Sequence, residues 1–275
     1  MKERGASMAK RWAVPGILAG LLAGAARGEG PVAPPVAGEY KIVVAGFGVK
    51  ADPIVREEIV ARNGRIYHFT TGSKEVAIID PARGQVNLLD LARRVETVIP
   101  FARLDEGLVK LKGTLNATIR DREAKGGRAN AIEAEMTRDL VDPRFRPTSD
   151  AASGRLRMAN PTVEVEATGE PDADAARLAS IAVALRSIAK VGAFRDPTDL
   201  PPFIELDAIT ALAAERRLRP TEISYLYRLA GPPRRLRRTY RLQPDLTPRE
   251  REAIDNVDRF REAIREVRHE QYRAR

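Results

Sequence analysis

Cysteine is absent from the 275 residues, and histidine occurs only at positions 68 and 269. The first absence excludes disulfides, thiol catalysis, cysteine-based metal sites and a lipidated N-terminal cysteine. Stability must then come from a buried core, which a chain of this length can build as one domain of elaborate topology or as two small ones. The two histidines stand in no HExxH pattern and neither has a neighbouring second ligand, so no metal site is expected. GxSxG and GxxxxGK[ST] are also missing. A GxG at Gly46-Phe47-Gly48 closes a predicted strand with no helix after it, whereas a dinucleotide fingerprint requires that helix. Its glycines read as a bulge or bend. With no catalytic constellation and no cofactor motif, the expectation is a non-enzymatic protein without cofactor or metal.

The only long apolar run lies at the N-terminus. Lys2, Arg4, Lys10 and Arg11 precede the run 12–23, and small residues follow to Ala26. This is the layout of a cleavable secretory signal peptide. The run is shorter than the approximately 20 residues that span a bilayer, and Pro15 weakens it as a membrane anchor. The expected organisation is a signal peptide over 1–25, a flexible Pro/Gly/Ala-rich linker over 26–39, and a single α+β domain over 40–275 with a helical C-terminal extension from about residue 247. The expected location is periplasmic or secreted. The formal charge is +9, and loss of residues 1–25 leaves 43 basic against 37 acidic side chains. Most arginines alternate with Asp and Glu, which fits a solvated surface and argues against a nucleic-acid footprint.

What the chain does contain is a dense ladder of short strands. Residues 54–62 and 65–71 flank Asn63-Gly64, the pair best suited to the positive φ angles of a type I′ turn. A two-residue loop fixes the register, so Val60 should face Tyr67, Ile59 face His68 and Glu58 face Phe69. Residues 75–80 and 85–89 follow around Asp80-Pro81-Ala82-Arg83-Gly84, then 94–99, with 40–47 as a preceding strand. Six strands in so short a span require an antiparallel meander, because parallel strands need helical crossovers.

Beyond the ladder the period changes. Leu104, Leu108, Leu111, Leu115 and Ile119 recur every three or four residues and predict an amphipathic helix ending near Lys125-Gly126-Gly127. A second helix is expected over 129–140, strands over 155–159 and 162–167, and helices over 172–194 and 203–217. A late hairpin pairs 221–229 with 235–242. Thr247-Pro248-Arg249-Glu250 is a capping box that opens a charged helix expected to reach about Val267. The fold class is therefore α+β: a curved antiparallel sheet, an incomplete barrel, covered by inserted amphipathic helices.

Candidate site residues are few. Glu57 and Glu58 point to opposite faces of a strand and cannot work as a pair. Glu164 and Glu166 share a face that reads as solvated. In the late hairpin, Tyr225, Tyr227, Leu236 and Tyr240 lie on one apolar face and suit either a sheet core or the wall of a ligand pocket. Arg234, Arg235, Arg237, Arg238 and Arg241 crowd the same hairpin and form a candidate interaction surface for an anionic headgroup or an acidic partner.

The segment KEVAIIDPARGQVNLLDLARRVETVIPF, residues 74–101, resembles the repeated hairpins of bacterial envelope proteins with the LolA-like fold, a superfamily of periplasmic lipoprotein and lipid carriers. Asp80-Pro81 and Asp90-Leu91 occupy the turns of that pattern. The resemblance implies an incomplete antiparallel barrel whose concave face is covered by helices and which carries lipid-modified or other hydrophobic cargo. The expected function is thus binding or carriage of a lipid, acylated or other hydrophobic ligand between sheet and helices, with a lipid-modified protein among the expected partners. The alternative is an envelope structural or interaction protein that uses the basic hairpin and charged C-terminal helix against another envelope protein or an anionic surface. Nucleic acid is not an expected partner.

Overall fold

The structure is a computed structural model that describes residues 36–48, 52–150, 154–195, 200–215, 217–229 and 232–274. The signal-peptide expectation and most of the linker lie outside the described residues. Val36, at the end of that linker, is buried in the core.

The ladder forms as its turns demand. Strands β1 (Tyr40–Phe47), β2 (Pro53–Arg62), β3 (Arg65–Thr70), β4 (Glu75–Asp80), β5 (Gln85–Asp90) and β6 (Val95–Pro100) run in succession. Asn63 and Gly64 take φ of 52° and 75°, as a type I′ turn requires. The pairs Val60–Tyr67, Ile59–His68 and Glu58–Phe69 are in register. A bulge interrupts β1 and β2 between Gly46 and Phe47, where the glycines anticipate one. Helices α1 (Phe101–Lys125) and α2 (Arg128–Val141) follow, then β7 (Arg146–Asp150), β8 (Arg155–Ala159) and β9 (Val163–Pro171). Asn160 Oδ1 accepts from the backbone N–H of Thr162 and Val163 and so closes the β8–β9 turn. Helices α3 (Ala175–Arg195) and α4 (Phe203–Thr210) come next. Asp174 starts α3 by accepting from the Arg177 N–H. The helix expected over 203–217 stops at Thr210, widens into a π-helical turn over Ala211–Glu215, and gives way to strand β10 at Leu218.

Strands β10 (Leu218–Tyr227) and β11 (Arg234–Gln243) complete the meander, and β11 pairs with β1. Among the described residues twelve strands, counting the two-residue β12 (Arg265–Glu266), form one open sheet, ordered β12-β6-β5-β4-β3-β2-β1-β11-β10-β9-β8-β7. It is the curved, helix-covered antiparallel sheet of an incomplete barrel. The N-terminal strand β1 lies at its centre, flanked by two meanders, with helices inserted between them and within the second.

The C-terminal segment departs from the single helix expected from 247 to about 267. The capping box forms with both reciprocal bonds, but α5 spans only Pro248–Glu262. Arg265–Glu266 then adds to the free edge of β6 as the short parallel strand β12, and α6 (His269–Arg273) follows. An open edge offers unpaired backbone groups, and the Val267 N–H takes one of them, the Glu96 carbonyl, at 2.8 Å.

Both faces of the sheet are used. The inner face carries Tyr40, Ile42, Ile59, Ile66, Ile79, Leu88, Val165 and Ile223 against the helices α1 to α4. On the outer face of β2 to β5, a smaller cluster of Val60, Tyr67, Val76, Ile78 and Leu89 is covered by Leu246 and by Ile254 of α5. Ion pairs fasten α5 there, Arg62 to Asp255 at 2.6 Å and Arg261 to Glu96 at 2.7 Å among them.

Candidate functional site

A cavity of about 210 Å³ lies at one end of the inner face, between the sheet and the C-terminal half of α3 with the start of α4. Alternation along the strands determines its walls. Glu57 of β2 and His68 and Thr70 of β3 come from one side, and Tyr225, Tyr227, Leu236 and Arg238 come from β10 and β11. The roof is made by Ile188, Ala189, Gly192 and Ala193 of α3 together with Leu200, Pro201, Pro202 and Glu205. Small residues on this face of α3 leave the space open, and a Cβ added at Gly192 would meet nothing within 4 Å.

Two polar pairs are set into these mixed walls. His68 Nε2 and Glu57 Oε2 are 3.1 Å apart, with His68 buried and Glu57 half-buried. Burial works to raise the Glu57 carboxyl. The His68 hydrogen bond and the charges of His68, Arg238 and Arg195 outweigh it and hold the group below the ordinary carboxylate range. Arg238 donates to Glu205. The Glu205 carboxylate is the main reason the guanidinium holds its proton more firmly than usual, against the opposing effect of burial. Beside this pair the Tyr225 hydroxyl is buried and has no hydrogen-bond partner among the described residues. Burial, reinforced by Glu205, raises its pKa well above that of an ordinary tyrosine, so it stays protonated as a donor. The Tyr240 hydroxyl lies in the field of Arg238 but closes no hydrogen bond of ordinary geometry with it.

Of the apolar residues singled out in the late hairpin, Tyr225, Tyr227 and Leu236 line the cavity, while Tyr240 is buried in the core behind Arg238. The arginine surface needs one correction. Arg234, Arg235, Arg237 and Arg241 are exposed, but Arg238 faces inward with Leu236 and Tyr240 because it shares their phase of the strand. It is a wall of the cavity and no part of the outer surface. Glu57, His68 and Glu205 also line the cavity, although no sequence motif marks them as site residues. The first two are implied by the hairpin register, since His68 pairs with Ile59 and Glu57 shares the face of Ile59. Glu205 is brought in by the packing of α4 against the sheet, a long-range contact that its own helical pattern does not specify. Glu57 and Glu58 do point apart, Glu58 meeting Lys41 on the outer face at 3.4 Å. Glu164 is occupied by Arg157 and Arg228.

A second, more open cleft of about 600 Å³ lies where α6 folds over the β6 edge and includes Thr97, Arg103, Phe194 and His269. His269 packs on Phe194 with ring centroids 4.8 Å apart. Among the described residues no group of three or more His, Asp or Glu is placed to hold a metal ion, and no helix is long and apolar enough to cross a membrane.

These features define a class: a helix-covered, open antiparallel sheet with a small mixed cavity at one end. Comparison with protein-family models and with curated proteins finds no match for the chain.

Proposed function

We propose that this protein is a non-enzymatic exported carrier that holds an apolar or acylated ligand between the sheet and helices α3 and α4. The observation that carries the reading is the cavity, with its apolar lining from Ile188, Leu200, Tyr227 and Leu236 and a buried, unpartnered hydroxyl on Tyr225. Ligand sites combine an apolar lining with a few convergent polar groups that fix orientation, and this cavity has that composition. A buried hydroxyl without a partner costs about 1–3 kcal/mol, a cost that a ligand acceptor would relieve. At about 210 Å³ the space exceeds the cavity of about 150 Å³ that admits benzene but falls below the roughly 300 Å³ at which drug-sized sites begin. It takes the end of a chain, and a longer ligand needs α4 to move away from the sheet. The likeness of residues 74–101 to the LolA-like hairpins supports the same reading.

Native mass spectrometry of protein purified without detergent tests the reading. Wild type should carry removable adducts of lipid or acyl mass. Gly192→Phe, which fills the cavity from α3 and replaces a helical glycine with a better helix former, should fold and be empty. Wild-type protein that is always empty, or a Gly192→Phe variant with unchanged adducts, would overturn it.

A further inference from the structure

The stretch of β11 that lines the cavity carries a different surface on its other side. Arg235 and Arg237 alternate with Leu236 and Arg238 and point outward, both exposed. Arg56 of β2 is exposed on the same face, across β1 from β11. Among the described residues these three arginines meet no carboxylate, whereas Arg157, Arg219 and Arg228 elsewhere on the sheet are each ion-paired. Two acids on this face are engaged, Glu58 by Lys41 and Glu222 by the Ser224 hydroxyl. Apolar groups are interleaved with the charges. The Arg237 guanidinium lies over the Phe47 ring at 4.5 Å, and Ile54, the unpaired residue of the bulge opposite Gly46 and Phe47, is 63% exposed. Helix α5, which covers the outer face of β2 to β5 through Ile254, leaves this end open.

We infer that the outer end of β1, β2 and β11 docks on an anionic lipid surface. Unpaired guanidinium groups meet lipid phosphates, and an exposed isoleucine beside a half-buried phenylalanine suits the boundary between headgroups and acyl chains. An acidic protein would use the arginines but would give the exposed Ile54 no comparable role. The docking face is the side of β11 opposite the one that lines the cavity. The inference rests on the surface alone and holds whatever the cavity contains.

Co-sedimentation of the soluble protein with vesicles tests it. Binding to phosphatidylcholine vesicles containing phosphatidylglycerol should exceed binding to phosphatidylcholine alone by at least about tenfold, and about 1 M salt, which shortens the screening length to roughly 3 Å, should abolish the difference. Each arginine near an anionic surface contributes about fivefold, so reversing both Arg235→Glu and Arg237→Glu should cost at least about 30-fold. Ile54→Ser should weaken binding at fixed salt without changing its salt dependence. The Gly192→Phe variant should bind vesicles like wild type, which separates failure of docking from failure of the carrier reading. Equal binding to both vesicle types, or charge reversal without effect, would overturn the inference. Binding to neither vesicle would also overturn it and leave an acidic protein as the occupant of the arginines.

Discussion

Tyr225→Phe should make the empty protein more stable, which is unusual for a substitution inside a core. The Tyr225 ring is buried, and its hydroxyl reaches no acceptor or donor among the described residues. A hydroxyl buried without a partner costs about 1–3 kcal/mol, and phenylalanine keeps the ring packing while removing that cost. The expected gain is about 1–2 kcal/mol, which for a protein of this size raises Tm by roughly 2–8 °C. Tyr40→Phe is the matched control. Its hydroxyl donates to Ser180 Oγ at 3.0 Å, and both residues are buried. Losing that bond leaves the Ser180 hydroxyl unsatisfied and should destabilise by about 1–2 kcal/mol. Thermal and urea unfolding of the ligand-free proteins therefore give two tyrosines of similar burial with opposite signs. In ligand-loaded protein the sign at Tyr225 should reverse, because the variant can no longer donate to the ligand. If Tyr225→Phe destabilises the empty protein as much as Tyr40→Phe does, the hydroxyl is already satisfied and the ligand argument loses its main support.

The remaining expectations concern the C-terminal segment. Arg261 lies 2.7–2.9 Å from both oxygens of Glu96, which is buried beside the fully buried Asn87. Arg261→Met should cost about 3 kcal/mol by leaving that carboxylate unpaired, and adding Glu96→Gln should recover much of the loss; a cost below about 1 kcal/mol in urea unfolding would mean that the pair behaves as an exposed one. His269 is held neutral, first by burial and then by the charge of Arg273, so its folded pKa is lowered. Its contribution is complete above the ordinary histidine pKa of about 6.5 and is lost as pH falls toward the depressed folded value, at no more than about 1.4 kcal/mol per pH unit. The stability difference between wild type and His269→Phe should therefore shift in favour of the variant between pH 7.5 and pH 5.5, whereas a difference independent of pH would refute the assignment.

Local chemistry made much of this fold legible. Asn63-Gly64 dictates both the β2–β3 turn and its register, and Thr247-Pro248-Arg249-Glu250 starts α5 where expected. Long-range choices leave no such mark. The pairing of β1 with β11 joins segments about two hundred residues apart, and nothing near Tyr40 indicates that this strand lies mid-sheet. The C-terminal helix overran for a related reason. No glycine or proline follows Glu262, and charged residues continue at helical spacing, but the unpaired edge of β6 offers Arg265–Glu266 hydrogen bonds that a longer helix cannot supply. Arg238 was legible all along in the alternation of its strand. Its composition suggested a surface, and its phase put it inside with Glu205.

The mixed faces of the first hairpin have a simple account once α5 is in place. Val60 and Tyr67 point away from the main core, yet both are buried, because the outer face of β2 to β5 is a second core under α5. Tyr67 spans the two environments, its ring in that cluster and its hydroxyl donating to Asp258 of α5 at 2.9 Å. The outer surface is thereby divided. Where the outward residues are valine, isoleucine, leucine and tyrosine, the C-terminal helix covers them and draws its own charges into pairs. Where they are arginines, on β11 and at the start of β2, nothing among the described residues covers or neutralises them. The carboxylates on that face, Glu58 and Glu222, meet Lys41 and Ser224 instead of these arginines, whereas Arg157 and Glu164 of β8 and β9 pair directly. Arg56, Arg235 and Arg237 lie at the end of the sheet behind the cavity, on the face that α5 leaves open.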